Sequence, residues 1–439
     1  MTTSLSHRRR GVAVLLAFAV PLSLASCGSG EESPEAGGGE EGGAVDNGTE
    51  LTMWVRSATD DFSTRLVDEY NASHENQVTL TVIPNDNYLQ KVGSAAGANQ
   101  LPDILAADVV YSPNYTSQGL YVDIGDRVDA LEYADQLAPS HLEAGSWEEK
   151  LYAVPHKLDS SVMYYNKDLF TAAGLDPEKP PTTFEEVLAD ARAITALGPD
   201  TYGFAIGGNC GGCGVYTMFP YAWADGVEPL SADGKTADFD NDTFREIFSL
   251  YKTMWDEKLV PENNKAEDGS TWQNAFIAGT VGILPHGSPI AGDINAQAEF
   301  EWGVTSLMSP DGSETSTFVG GDVAGITKSS KNVDAAWDFL QWTLEEAAQV
   351  EIIAQNGDIP ARLDLTGNDY TSSDPRLKFI ADGVQNGKTP FALPFGDLFN
   401  NPNGPWVEMM RGAIFGEDPD QAIKDGQEKI QSGLDAANS

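Results

Sequence analysis

The chain has 439 residues, long enough for two lobes with separate cores. Hydrophobic residues make up 41% and aromatics 9%, which indicates a globular body. Lys and Arg number 26 against 67 Asp and Glu, a net charge of −41 that argues against a nucleic-acid partner and suits a saline or alkaline exterior.

Residues 1–27 read as a processing segment. Arg8, Arg9 and Arg10 form a basic start, and residues 12–24 an apolar run too short to span a bilayer comfortably. Leu24-Ala25-Ser26-Cys27 resembles a bacterial lipobox. That resemblance implies cleavage before Cys27 and acylation of its thiol. Residues 28–49 are rich in Gly and Glu and read as a flexible acidic tether.

From residue 50 the pattern alternates. Residues 51–56 (LTMWVR) read as a strand, followed by a helix through Phe62, Leu66, Val67 and Tyr70. Residues 78–84 predict a second strand, 88–96 a helix, and 103–110 a third strand. Near-continuous apolar strands alternating with helices predict an α/β lobe with a largely parallel, buried sheet. Ligands of such sheets sit beyond the carboxyl ends of the strands. Arg56 and Asp108 stand at such ends and are the first site candidates. Trp54 lies inside its strand and reads as core.

Residues 151–192 contain two extended runs, 151–154 and 162–165, around a polar segment without a turn signal. That suits a chain crossing between lobes. Thr183 with Glu186 three residues on predicts a capped helix, with Phe184, Val187, Leu188, Ala191 and Ile194 on one face. The words LYAVP, YYNKDLF, AGL and TFEEV resemble, in order and spacing, the extracellular solute-binding proteins of ABC sugar importers.

The rest of the chain is similar to the same family. Residues 102–104 (PDI), Phe276 with Gly279, the run FVGGDVAGI from Phe318, and 356–362 (NGDIPAR) follow in family order, over about residues 50–439. The resemblance implies an α/β, two-lobed periplasmic-binding-protein-like fold. Each lobe would be a mainly parallel sheet flanked by helices, joined by three crossing segments near 156–161, 319–322 and 373–375. The N-terminal lobe would take residues 50–157 and 323–372, the C-terminal lobe 158–322 and 373–439. It also implies a carbohydrate ligand, ABC permease membrane subunits as partners, a monomer, and a lipid-anchored position on the extracytoplasmic face. No cofactor and no catalytic residue are implied. The resemblance places a sugar-binding carboxylate at Asp159 and a stacking aromatic near Trp406. The maltose-binding members carry stacking tryptophans where this chain has Ala107 and Pro289, so maltodextrin specificity is not expected.

Other candidates come from the residues themselves. Residues 207–214 read GGNCGGCG. With Cys27 committed elsewhere, Cys210 and Cys213 cannot form a four-cysteine zinc site. The surrounding glycines fit poorly with a redox motif opening a helix. Outside the cytoplasm the pair is expected as a structural disulfide. Tyr216 and Trp223 are aromatic candidates for a sugar face, though Phe219 and Trp223 also have helix-core spacing. Residues 243–260 predict an amphipathic helix and 281–284 a buried strand ending near His286, another candidate. Asp322 could take a hydroxyl or an ammonium. Trp406 follows a proline-rich stretch, 390–405, and precedes an apolar helix at 407–414. A closing helix covers about 419–436.

Two other function classes stay open at this stage. One is a receptor for a cationic solute such as a polyamine. The other is a secreted carbohydrate-active enzyme, whose paired carboxylates would arise by chance among so many acids. The five histidines show no metal spacing, and no G-x-S-x-G or phosphate loop occurs.

Overall fold

The computed structural model describes residues 43–439. The processing segment, the lipobox with Cys27 and the first part of the acidic tether lie outside the described residues. The chain is hydrogen-bonded to the body from Val45 onward. The Val45 N–H donates to Asp334 O, the Asn76 Nδ2 donates to Val45 O, and the Asn76 Oδ1 accepts from the N–H groups of Asn47 and Thr49.

The first strand, β1 (Glu50–Arg56), alternates. Leu51, Met53 and Val55 are buried while Glu50 and Thr52 are exposed, as one covered sheet face requires. Trp54 is half-buried with Lys91 above its ring, so it covers the edge of a core. Helix α1 (Asp60–Ser73) carries Asp60 and Asp61 in its first turn, favourable to the helix dipole, and buries Phe62, Leu66, Val67 and Tyr70 along one stripe. Strand β2 (Gln77–Ile83), helix α2 (Asn85–Ala98) and strand β3 (Ile104–Asp108) follow.

The polar segment at 156–161 does not separate two strands. Residues Val154–Asn166 form one 13-residue strand, β4. Helix α3 (Phe184–Thr195) begins as its sequence predicts, with the Thr183 hydroxyl accepting from Glu186 N–H at 3.1 Å. Then come β5 (Tyr202–Phe204), α4 (Gly211–Ala224), α5 (Asp242–Asp256), β6 (Val281–Gly287), β7 (Trp302–Thr305) and β8 (Val319–Ile326). Helices α6 (Val333–Thr343), α7 (Pro375–Gly383), α8 (Pro405–Phe415) and α9 (Pro419–Ala437) complete the frame.

One eight-stranded sheet has the order β2-β1-β3-β8-β4-β6-β5, with β7 also pairing on β4. The wings are parallel: β1 with β2 and β3, and β5 with β6. The long strands β4 and β8 run antiparallel through the middle and tie the wings together. The first part of β4 pairs with β8, and Ser161–Tyr165 pair with β6. The pairing shifts between Asp322 and Val323, leaving His156 as the extra residue of a bulge. Gly321 has φ +111°, and a Cβ there would lie 1.9 Å from Lys157 O, so only glycine fits beside the bulge. Residues 373–375 are a turn into α7, where Asp374 caps the helix by accepting from Arg376 N–H.

Candidate functional site

Arg56 ends β1 and Asp108 ends β3, side by side at the carboxyl edge of the parallel wing. Arg56 Nη1 lies 2.9 Å from Asp108 Oδ2. The Arg56 Nε donates to Asp322 Oδ2 at 3.2 Å, and its Nη2 bonds the other oxygen of the same carboxylate. Asp322 reaches this point because β8 runs opposite β3, with Asp322 paired to Asp108. Burial acts against the Arg56 charge, but Asp108 and Asp322 outweigh it and raise its pKa. Burial likewise pushes the Asp108 carboxyl up to about 6, against the pull of Arg56 and with the help of Asp322.

Asp159 approaches from β4, opposite Gly320 of β8. The Tyr216 hydroxyl, from α4, donates to Asp159 Oδ1. Burial raises the Asp159 pKa, and the Tyr216 bond opposes the rise. The Tyr216 ring rests on Phe318, with centroids 4.7 Å apart. His286, near the end of β6, has its Nδ1 2.7 Å from Gly287 N and 3.3 Å from Gly287 O. Its ring centroid lies 4.5 Å from that of Trp272. Burial lowers the His286 pKa to about 4, so the ring is neutral near pH 7.

These groups border a cavity of about 330 Å³. Arg56, Asp108, Asp159, Tyr216 and His286 all line it, with Trp272, Pro289, Phe318, Phe395 and Asn400. A larger hollow of about 700 Å³ lies between α2 and residues 393–397, but Asp397 is its one charged lining residue. Asp322 stands a layer behind the cavity, fully buried, and acts through Arg56.

The two tryptophans expected to stack on a ligand are elsewhere. Trp223 sits in α4 at 7% exposure, packed on Phe219 and Phe318, and does not line the cavity. Trp406 is 0% exposed and belongs to α8 rather than to a loop. Pro405 takes the first helical position, where its missing N–H costs nothing, so the helix starts before the tryptophan. The aromatic wall is instead Trp272, Phe318 and Phe395. Trp272 and Phe276 are four residues apart and read as helix core. Phe318 announced itself only by adjacency to the Gly-Gly-Asp run.

Cys210 and Cys213 are disulfide-bonded, with Cα atoms 5.2 Å apart. Contrary to expectation, the motif does open a helix: Cys210 is the N-cap of α4. The glycines serve close packing rather than a loop. A Cβ on Gly211 would lie 2.0 Å from Phe399 O. Gly212 and Cys213 line the cavity, so the bridge sits at its edge. Among the described residues no group of His, Cys, Asp and Glu is arranged to hold a metal ion, and no helix is long and apolar enough to cross a membrane.

A cavity at strand ends, walled by aromatics and carboxylates from distant parts of the chain, defines a small-molecule binding protein. The chain belongs to the family described as bacterial extracellular solute-binding protein, which matches residues 65–378. A putative binding protein of Brucella abortus is 25% identical over 81% of this chain and 85% of its own. The diacetylchitobiose binding protein of Streptomyces coelicolor is 23% identical over 95% of this chain and 96% of its own. The cyclic alpha-maltosyl-1,6-maltose binding protein of Arthrobacter globiformis has a similar structure, with TM-score 0.76 and 25% identity over 89% of this chain and 100% of its own.

Proposed function

We propose that this protein captures a sugar or oligosaccharide in the Arg56–Asp159 cavity and delivers it to the membrane subunits of an ABC importer. The observation that carries the reading is the joining of Arg56, Asp108, Asp159 and Tyr216 at one cavity with an aromatic wall. Carboxylates and a guanidinium take hydroxyls, while Trp272, Phe318 and Phe395 offer faces to the apolar side of a pyranose. Relatives named for diacetylchitobiose and for a cyclic maltosyl-maltose support the ligand class.

In this reading the lobes are residues 50–157 with 323–372 and residues 158–322 with 373–439. They hinge on β4 and β8 and on the turn at 373–375. Closure buries the ligand, and the closed monomer is what the permease reads. Acylated Cys27 anchors the protein outside the membrane. The cavity binds without chemistry.

A thermal-shift screen of residues 43–439 against a carbohydrate panel tests this, because a ligand at 100 times its Kd adds about 2.7 kcal/mol of stability. A sugar that raises the melting temperature and also shrinks the radius of gyration in solution scattering supports capture by closure. Hydrolysis of an offered oligosaccharide would replace the receptor reading with an enzyme. For the anchor, Cys27→Ala should abolish membrane retention of the processed protein; retention with unchanged mass would count against acylation.

A further inference from the structure

We infer that the sugar taken by this cavity carries a free amine, and that its ammonium is held by Asp108 and Asp159. The inference rests on the sugar reading above and narrows it to amino sugars.

The first observation is charge. Asp108, Asp159 and Asp322 converge from β3, β4 and β8, and among the described residues Arg56 is the one arginine or lysine lining the cavity. Arg56 is already held by Asp322 at Nε and Nη2 and by Asp108 at Nη1. Asp159 has only the neutral Tyr216 hydroxyl and forms no ion pair with the arginines and lysines around it. The other nearby cations, Lys157 and Arg65, share Asp358; Lys157 stands two residues from Asp159 along β4 and acts on it at a distance without an ion pair. Counting that pair, four carboxylates face three cations, so one positive charge is missing. Partly buried carboxylates strongly favour a cation that can donate hydrogen bonds to them.

The second observation is the aromatic wall. Trp272, Phe318 and Phe395 line the cavity beside the carboxylates and offer faces to a sugar ring. A polyamine brings the ammonium but no ring. A neutral sugar brings the ring but leaves Asp159 without a countercharge. An amino sugar brings both. A cavity of about 330 Å³ lies at the small end of ligand pockets, which favours a short saccharide.

The test uses matched sugars offered to residues 43–439 in calorimetric titration at pH 7. Mono- to trisaccharides of several linkages are supplied in three forms that differ only at one position: hydroxyl, acetamido and free amine. Spermidine is the sugar-free amine. The amine form of at least one saccharide should bind about tenfold or more tightly than its two partners. Asp159→Asn should bring that ratio towards one, while Tyr216→Phe, which keeps the charge, should preserve it. If the hydroxyl or acetamido forms bind as well as the amine, the inference is overturned and the sugar receptor stands. If spermidine binds and no saccharide does, both readings fall and a cationic-solute receptor replaces them. An amine preference that survives both Asp159→Asn and Asp108→Asn overturns the assigned site.

Discussion

Arg56 donates from Nε to Asp322 at 3.2 Å, across 266 residues of chain. The contact exists because β1 and β8 both flank β3, so a strand from the start of the chain and one from its last third meet at a single edge. Asp322 is 0% exposed and cannot be solvated by water. Its charge is tolerable only because the guanidinium bonds both of its oxygens. The pair therefore belongs to the fold as much as to the cavity. It fixes where the Arg56 Nη1 and Asp108 stand.

Arg56→Met removes the cation and leaves Asp322 buried and uncompensated. Breaking one side of a buried pair costs roughly 3–5 kcal/mol. The unfolding free energy of the ligand-free protein, from urea titration, should fall by that amount. The double variant Arg56→Met/Asp322→Leu should recover most of the loss, since it removes the stranded charge. Additive losses in the double variant would show that the pair is not the source.

Acid should weaken the fold through neutral histidines. His141 and His156 are buried near β4, and burial lowers both pKa values to about 4. His286 is lowered to about 4 in the same way. The unfolded chain binds these protons at about 6.5. Between the two values the unfolded state holds more protons, so stability falls as pH drops from about 6.5 toward 4. Asp108 acts oppositely: its folded value of about 6 lies above the unfolded 3.8, so it favours the fold most at low pH and loses that contribution as pH rises through 6. Asp190 is likewise raised to about 6 and Asp159 is raised by burial, so carboxyls and histidines oppose each other across this window. The histidine part is read by difference: the stability lost between about pH 6.5 and 4.5 relative to the parent should shrink in His141→Gln. An unchanged pH dependence in that variant would contradict the assignment.

The Cys210–Cys213 bridge closes a very short loop, for which the chain-entropy model gives about 2 kcal/mol. The double serine variant should lose that much stability. Because Gly212 and Cys213 line the cavity and α4 carries Tyr216, ligand affinity should fall as well. Thiol labelling of denatured, unreduced protein checks the starting state, and free thiols at both positions would remove the bridge from the account.

How far the site could be read in advance depended on backbone direction. Arg56 and Asp108 were legible because an apolar run that stops at a charged residue marks a parallel strand's end, and such ends point at ligands. His286, near a strand end and in the cavity lining, follows the same rule. Asp159 came from family resemblance, since nothing in HKLDSS singles it out. The aromatics were harder. Whether an aromatic faces a cavity or a core depends on helix phase and on tertiary neighbours, and neither is local. Trp272 carries the same spacing signature as a core residue. The proline before Trp406 carries a loop signal in the sequence, whereas at the first helical position it starts a helix. The single strand β4 looks like two runs in the sequence because a polar stretch resembles an interruption. The backbone of β8 satisfies it instead.

The fate of Trp406 gives the sharpest test of the packing. Its ring lies among Phe219, Phe239, Phe248 and Phe399, with the Phe219 centroid 5.4 Å away and edge-on. Its Nε1–H donates to Gly211 O at 3.0 Å, tying α8 to the first residue of α4. Trp406→Ala removes a large buried ring and one bond to that carbonyl, which keeps its intrahelical partner. Truncations of this kind cost about 3–5 kcal/mol, depending on how far the site collapses. Trp406→Phe keeps most of the volume and loses the hydrogen bond, so it should cost less than the alanine variant but more than nothing. Both losses should appear in the ligand-free melt. Affinity in the folded fraction should stay close to that of the parent, because Trp406 touches no part of the cavity. An affinity loss of about tenfold with an unmoved melting temperature would return Trp406 to the ligand and require the core around α8 to be redrawn.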